Sequence, residues 1–268
     1  VNNRTTQAAA FHTLHQDFAQ PLLLANAWDV ASARLVEIAG APAIATTSAG
    51  VAWSLGHADG SALGRKEAVA AVSRIAGAVT VPVTADIEAG YADDADGVEH
   101  TVDAVLEAGA VGINIEDGAL PAAELMDRIG AARRAAGRAG VPMFINARTD
   151  VYLAGLVSPE QRFAETLHRA HRYLEAGADG VFVPGVGDAD TIRALAEAID
   201  GPLNVMVGPG SLTAAQLSEL GVARVSVGSG MAQAAYEIAR SAAMELLTAG
   251  TYGSLTPAVD YGELNSLF

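Results

Sequence analysis

"LEAGAVGINIEDG", residues 106 to 118, contains three things in order: the end of an amphipathic helix, a glycine, and a short apolar run that closes on two acids. Gly109 can take the left-handed conformation that stops a helix, and the run from Gly112 to Glu116 has the length and character of a buried strand. The unit recurs as "VEIAGAPAIATTS" at 36 to 48, "LEAGADGVFVPG" at 174 to 185 and "SELGVARVSVGS" at 218 to 229, with Gly40, Gly177 and Gly221 as the stops. "AGVPMFINARTD" at 139 to 150 and "DGPLNVMVGPG" at 200 to 210 are variants with proline at the strand entrance. Working outward from these units predicts eight strands, at 22–25, 43–47, 83–86, 112–116, 143–147, 180–183, 203–207 and 224–227, each followed by a helix.

Some helix starts are marked as well. Ser158, Pro159, Glu160 and Gln161 spell a capping box with proline at the first helical position, and the stretch from Thr213 to Gln216 spells another. Eight buried strands alternating with helices predict one (β/α)8 TIM barrel over residues 1–249, with a three-layer open sheet as the alternative. The tail 250–268 falls outside the repeat and is expected to pack on the barrel or on a neighbouring subunit.

Composition narrows the function classes. The chain has 268 residues, 51% hydrophobic, with a net charge of -15, so a phosphate backbone would be repelled and nucleic acid is excluded as the natural partner. There is no cysteine, which removes disulfides, thiolate metal sites and thiol nucleophiles. No segment is long and apolar enough for a bilayer span, residues 1–20 lack the pattern of a signal peptide, and the expected location is the cytoplasm.

In a barrel of this kind the active site lies at the carboxyl ends of the strands. Those ends carry Asn26, Thr46, Thr47, Ser48, Asp86, Glu88, Glu116, Asp117, Asn146, Arg148, Asp150 and Asn204. In "VPVTADIEAGY", residues 81 to 91, strand alternation would turn Asp86 and Glu88 to the same side and Ile87 to the other. Acids converging from adjacent strands make a hard oxygen site suited to Mg²⁺ or Mn²⁺, with Asp86 and Glu116 as the expected contributors and Glu88 and Asp117 open between that site and hydrated loop positions. Arg148 can hold a substrate carboxylate with two parallel bonds, or it can pair with Asp150. Several other features have plainer readings: "GPGS" at 208 to 211 as a turn, "GVGDAD" at 185 to 190 as no dinucleotide fingerprint, His57, His100, His168 and His171 as exposed, Trp53 and Tyr91 as pocket walls or core.

With these residues assembled, the chain resembles the isocitrate lyase and phosphoenolpyruvate mutase superfamily over nearly its whole length. The motifs that carry the likeness are "TTSAGVAWSLGHADG" (46–60), "ADIEAGY" (85–91), "GINIEDG" (112–118), "NARTD" (146–150) and "LNVM" (203–206). The resemblance implies a TIM barrel whose last helix is exchanged between subunits of a homotetramer or homodimer, and Mg²⁺-dependent chemistry beside an α-keto acid. It implies that Asp86 is the principal metal ligand, that Asp59, Glu88 and Glu116 hold the metal directly or through water, and that Thr47, Ser48, Ala49, Asp86, Arg148 and Asn204 bind the substrate. Arg148, Asp59 and Glu116 are the residues it would have carry the reaction.

Departures from the family pattern narrow the substrate. "EDGALPAAELMDRI" at 116 to 129 passes almost directly into a helix where the lyases carry a mobile loop with a catalytic cysteine, Pro184 stands where the phosphonate enzymes have a histidine, and "GSGMAQ" at 228 to 233 lacks a second substrate arginine. The expected function is therefore a Mg²⁺-dependent lyase-like enzyme on a small α-keto or α-hydroxy dicarboxylate. Carbon–phosphorus chemistry and a non-catalytic keto-acid-binding barrel are the alternatives.

Overall fold

A computed structural model describes residues 3–16, 20–60 and 63–268. Residues 1, 2 and 17–19, part of the stretch weighed above as a leader, lie outside the described residues. The strands are β1 (Leu22–Leu24), β2 (Asn26–Ala27), β3 (Ile44–Thr46), β4 (Val83–Asp86), β5 (Gly112–Glu116), β6 (Phe144–Arg148), β7 (Gly180–Val183), β8 (Leu203–Met206) and β9 (Arg224–Ser226). All pair in parallel, in the order β1-β9-β8-β7-β6-β5-β4-β3-β2. The two ends of that order are one stretch of chain broken only at Ala25: Leu22 to Leu24 pair with β9, whereas Asn26 and Ala27 pair with β3. The first predicted strand thus closes the sheet on itself, and the fold is the eight-stranded (β/α)8 barrel.

The helices are α1 (Asn3–Thr13), α2 (Val30–Ile38), α3 (Ser48–Ser54), α4 (Arg65–Ala78), α5 (Ala95–Glu107), α6 (Ala122–Ala139), α7 (Arg162–Glu175), α8 (Ala189–Ala198), α9 (Ala214–Glu219), α10 (Gly230–Ala249) and α11 (Tyr261–Asn265). The apolar faces of α2 and α4 to α9 pack on the outward faces of the strands, burying Val36, Ile75, Val105, Leu125, Leu195 and Leu217. Each such side chain contributes roughly 1.5–3 kcal/mol of hydrophobic stabilisation. The helix stops at Gly40, Gly109, Gly177 and Gly221 all have positive φ, between 85° and 108°. Thr213 and Gln216 form the expected capping box, but Ser158 does not: its hydroxyl donates to Gln161 Oε1 at 3.2 Å, and Pro159–Gln161 is a 3₁₀ turn leading into α7.

The barrel has a closed floor and a polar interior. Below the strands, α1 lies across the amino ends, with Phe11 edge-on to Phe144 and His15 stacked on it at 3.8 Å. Inside, the Arg224 guanidinium donates from β9 to Asn114 on β5 at 3.0 Å, and Asn146 on β6 donates to Asn204 on β8 at 3.0 Å. Neither pair sits on neighbouring strands, so both bonds must cross the interior. Only the opposite, carboxyl end is open for chemistry.

Candidate active site

Five carboxyl groups, those of Asp59, Asp86, Glu88, Glu116 and Asp150, and one guanidinium meet at that end. Asp86 closes β4, and its Oδ2 accepts from the Ser48 backbone N–H at 3.0 Å and the Ser48 hydroxyl at 2.8 Å. Its own N–H donates to Thr46 Oγ1 at 2.9 Å. Ser48 opens α3 with Thr47 as N-cap and Ala49 beside it, so the βα turn after β3 fixes the Asp86 rotamer. Glu116 and Arg148 are register partners on β5 and β6, with Arg148 Nη1 2.8 Å from Glu116 Oε2. Asp59 lies at the rim, where Asp86 and Arg148 both act on it and Ser48 bonds to it.

Glu88 reaches the group by a route that strand alternation does not describe. The strand ends at Asp86, Ile87 buries outward, and Glu88 takes a left-handed backbone with φ 50°. Its side chain is only 4% exposed and acts on both Glu116 and Tyr91. Tyr91, also at φ 50°, bonds to Glu88 through its hydroxyl and belongs to the acid cluster. Burial, then Glu88, Asp86 and Asp59, hold that phenol protonated, well above its ordinary range. Tyr91 is the site residue that sequence reasoning missed as a polar group; its signal was its place three residues beyond Glu88 in the same turn.

The electrostatics follow from acids outnumbering cations. Burial raises the Glu116 carboxyl, and Asp86, Asp150 and Glu88 raise it further against the pull of Arg148. Burial and Asp86 likewise raise Asp59. Burial alone would weaken the charge on Arg148, but Glu116, Asp150 and Asp86 outweigh it and raise its pKa. The planar fork of Arg148 is bidentate to Asp150, at 2.6 Å and 3.0 Å, and stands 5.8 Å over the Phe182 ring.

The other expected residues lie elsewhere. Asn204 is 1% exposed, and its amide bonds to Asn146, Ser226 and the Arg224 carbonyl across the barrel interior. Asp117 is wholly buried and accepts from the Asp150 N–H, Arg169 and Tyr173, a structural tie. Asn26 bridges the seam of the barrel, donating to the Thr46 carbonyl and accepting from Val227 N–H. His57 lies 3.7 Å from Glu67, and Trp53 packs edge-on to Tyr236. His100, His168 and His171 are exposed on helices, and Ser211 closes the 208–211 turn onto Gly208.

Among the described residues no three or more His, Cys, Asp or Glu groups stand together so as to hold a metal ion. The donor set is nevertheless all hard oxygen and carries excess negative charge, which fits a Mg²⁺ that keeps several of its waters.

A family model described as phosphoenolpyruvate phosphomutase matches residues 11–247 of this chain. The chain belongs to that family. An uncharacterized protein of Mycobacterium tuberculosis is 40% identical over 260 residues, covering 96% of this chain and 95% of its own. Oxaloacetate decarboxylase 1 of Pseudomonas fluorescens is 33% identical, over 65% of this chain and 61% of its own. Among solved structures, a candidate lyase/mutase of Burkholderia cenocepacia J2315 superposes with a TM-score of 0.91 at 36% identity, over 99% of this chain and 97% of that one. A phosphonopyruvate hydrolase solved with oxalate and Mg²⁺ superposes at 0.84 with 25% identity, over 97% and 94%. Within this phosphomutase family the short connection at 117–121, between β5 and α6, leaves the mouth without a long covering loop from that strand.

Proposed function

We propose that this family member is a Mg²⁺-dependent carbon–carbon lyase acting on a small α-keto or α-hydroxy dicarboxylate such as oxaloacetate. The observation that carries the reading is the crowding of Asp59, Asp86, Glu88 and Glu116 around Arg148 at the open end of the barrel, with Asp86 locked by Ser48. When bound, Mg²⁺ would supply the Lewis acidity that stabilises the enolate left as the neighbouring carbon–carbon bond breaks. Asp86 would hold it directly, and Glu88, Glu116 and Asp59 would hold it through water.

The protein's own groups do the rest. Arg148 swings its fork from Asp150 to the substrate carboxylate, keeping a bidentate partner in both states. The Thr47 to Ala49 turn lines the keto-acid end, while Asn204 steadies Asn146 two residues before Arg148 on β6. Glu116 and Asp59 are the carboxyl groups positioned to move the proton that the enolate carbon gains. The absence of cysteine and of a long loop after β5 favours a substrate smaller than a tricarboxylate.

A screen of keto and hydroxy acids with Mg²⁺, following pyruvate release and thermal stabilisation together, tests this. Turnover of a dicarboxylate that disappears in Asp86→Ala supports it. Stabilisation without turnover would favour a binding protein, and release of phosphate from phosphonopyruvate would favour carbon–phosphorus chemistry, the reading to which the hydrolase likeness points.

A further inference from the structure

The turn that presents Glu88 and Tyr91 is held by a residue on α6, two helices further along the chain. Both residues have φ 50°, and Gly90 between them has φ 105°. A non-glycine residue with a left-handed backbone persists only where its surroundings over-determine it. Gly90 is required outright, because a Cβ there would stand 2.5 Å from Val98 Cγ2 as well as at an unfavourable φ. One side of the turn is stitched to β5: Ile87 N–H donates to the Asn114 carbonyl at 3.1 Å, and Glu116 N–H to the Glu88 carbonyl at 2.9 Å. The other side is gathered by Arg128 on α6. Its Nη1 donates to the carbonyls of Ala89 and Ala92 at 2.6 Å and 3.0 Å, and its Nη2 to that of Asp93 at 3.0 Å. Arg128 is only 6% exposed.

We infer that Arg128 is a positioning residue for the metal and substrate site: it clamps the left-handed turn 88–91 so that Glu88 and Tyr91 face Asp86 and Glu116. Three carbonyls spread over five residues converge on one planar guanidinium, a geometry that no single ammonium group reproduces. Arg128 sits on α6, the helix that follows Glu116, so one side chain ties the Glu88 turn to the element after β5. This rests on the metal-site reading above, and the tests below keep the two apart.

The experiment compares the parent with Arg128→Lys and, independently, Gly90→Ala, which disturbs the same turn without touching the arginine. Three measurements are made: Mg²⁺ or Mn²⁺ affinity by calorimetry, amide hydrogen exchange by mass spectrometry, and the melting temperature. The expected result is a metal affinity about tenfold weaker in each variant, the usual scale for groups supporting a metal ligand. Faster exchange should be confined to the peptides spanning 86–93. A lowered melting temperature with metal affinity within twofold of the parent and unchanged exchange at 86–93 would make Arg128 a stability residue only and overturn the inference. If the parent itself binds no metal, the metal reading fails, and exchange alone decides the clamp: unchanged protection in both variants overturns it, and local loosening upholds it.

Discussion

Nδ1 of His15 lies 2.8 Å from the Phe11 carbonyl, which can only accept, so the ring proton sits on Nδ1. Nε2 is then a buried acceptor with no partner among the described residues. Burial, reinforced by the field of Arg224, lowers the pKa from 6.5 to about 3. Between those two values the unfolded chain takes up a proton that the folded one refuses, so this group's stabilisation is complete above pH 6.5 and is lost as pH falls toward 3. At pH 5 the loss is roughly 2 kcal/mol. His15→Asn keeps a donor toward Phe11 and removes the titration; its melting temperature should fall less than the parent's between pH 7.5 and pH 5. Equal drops would show that His15 does not titrate in this range. Arg148 gives the second test at this scale. If its fork trades Asp150 for a substrate carboxylate, Arg148→Ala should weaken oxaloacetate binding by about 2–3 kcal/mol, and lysine should restore only part of it. Unchanged affinity with a lowered melting temperature would reduce Arg148 to a partner of Asp150. The sequence already held both roles, because it places the arginine and the acid two residues apart; the structure shows the internal pair.

Between elements, the site depends on ties that a one-dimensional reading does not reveal. The acid after β5, Asp117, looked like a site residue because it adjoins Glu116. Its carboxylate instead joins the turn after β6, through the Asp150 N–H, to α7, through Arg169 and Tyr173. A wholly buried carboxylate with a charged partner behaves as a broken ion pair when neutralised, so Asp117→Asn should cost on the order of 3–5 kcal/mol in denaturant unfolding. A cost below about 1 kcal/mol would contradict this account. Asp86 and Glu116 were legible because the predicted strands end on them, and Arg148 because it directly follows one. Glu88 was legible as a site residue for a reason that does not hold, since the strand stops at Asp86 and a left-handed turn carries on. Arg224 carried no signal of its own: it opens the last predicted strand, and only closure of the barrel brings it, 1% exposed, to Asn114 in a polar lumen.

Across the whole molecule, the eight-fold repeat was readable because each unit carries its own stop glycine and buried strand, whereas the fate of the last helix is not a local property. The wall where β1 meets α1 and α2 carries an open apolar groove lined by Leu22, Leu23, Leu35, Val36, Pro42 and Met231. A helix following the last strand would cover such a wall. Here α10 buries only Ala232 and leaves Ile238, Met244, Leu246 and Leu247 exposed, Leu247 at 83%. The tail turns back, with Glu245 accepting from Gly253 and Ser254 N–H and Arg34 on α2 donating to the Leu267 carbonyl at 3.2 Å. An uncovered apolar wall and an uncovered apolar helix on one chain would both be covered if two copies exchanged the helix, and that exchange is the assembly we propose. The expected species in light scattering at micromolar concentration is therefore a homodimer or homotetramer. Leu247→Glu on the helix and Leu23→Glu on the wall should each shift it toward monomer, since both would place a charge in the proposed apolar interface. A monomeric parent, or an oligomer indifferent to both substitutions, would rule out this interface.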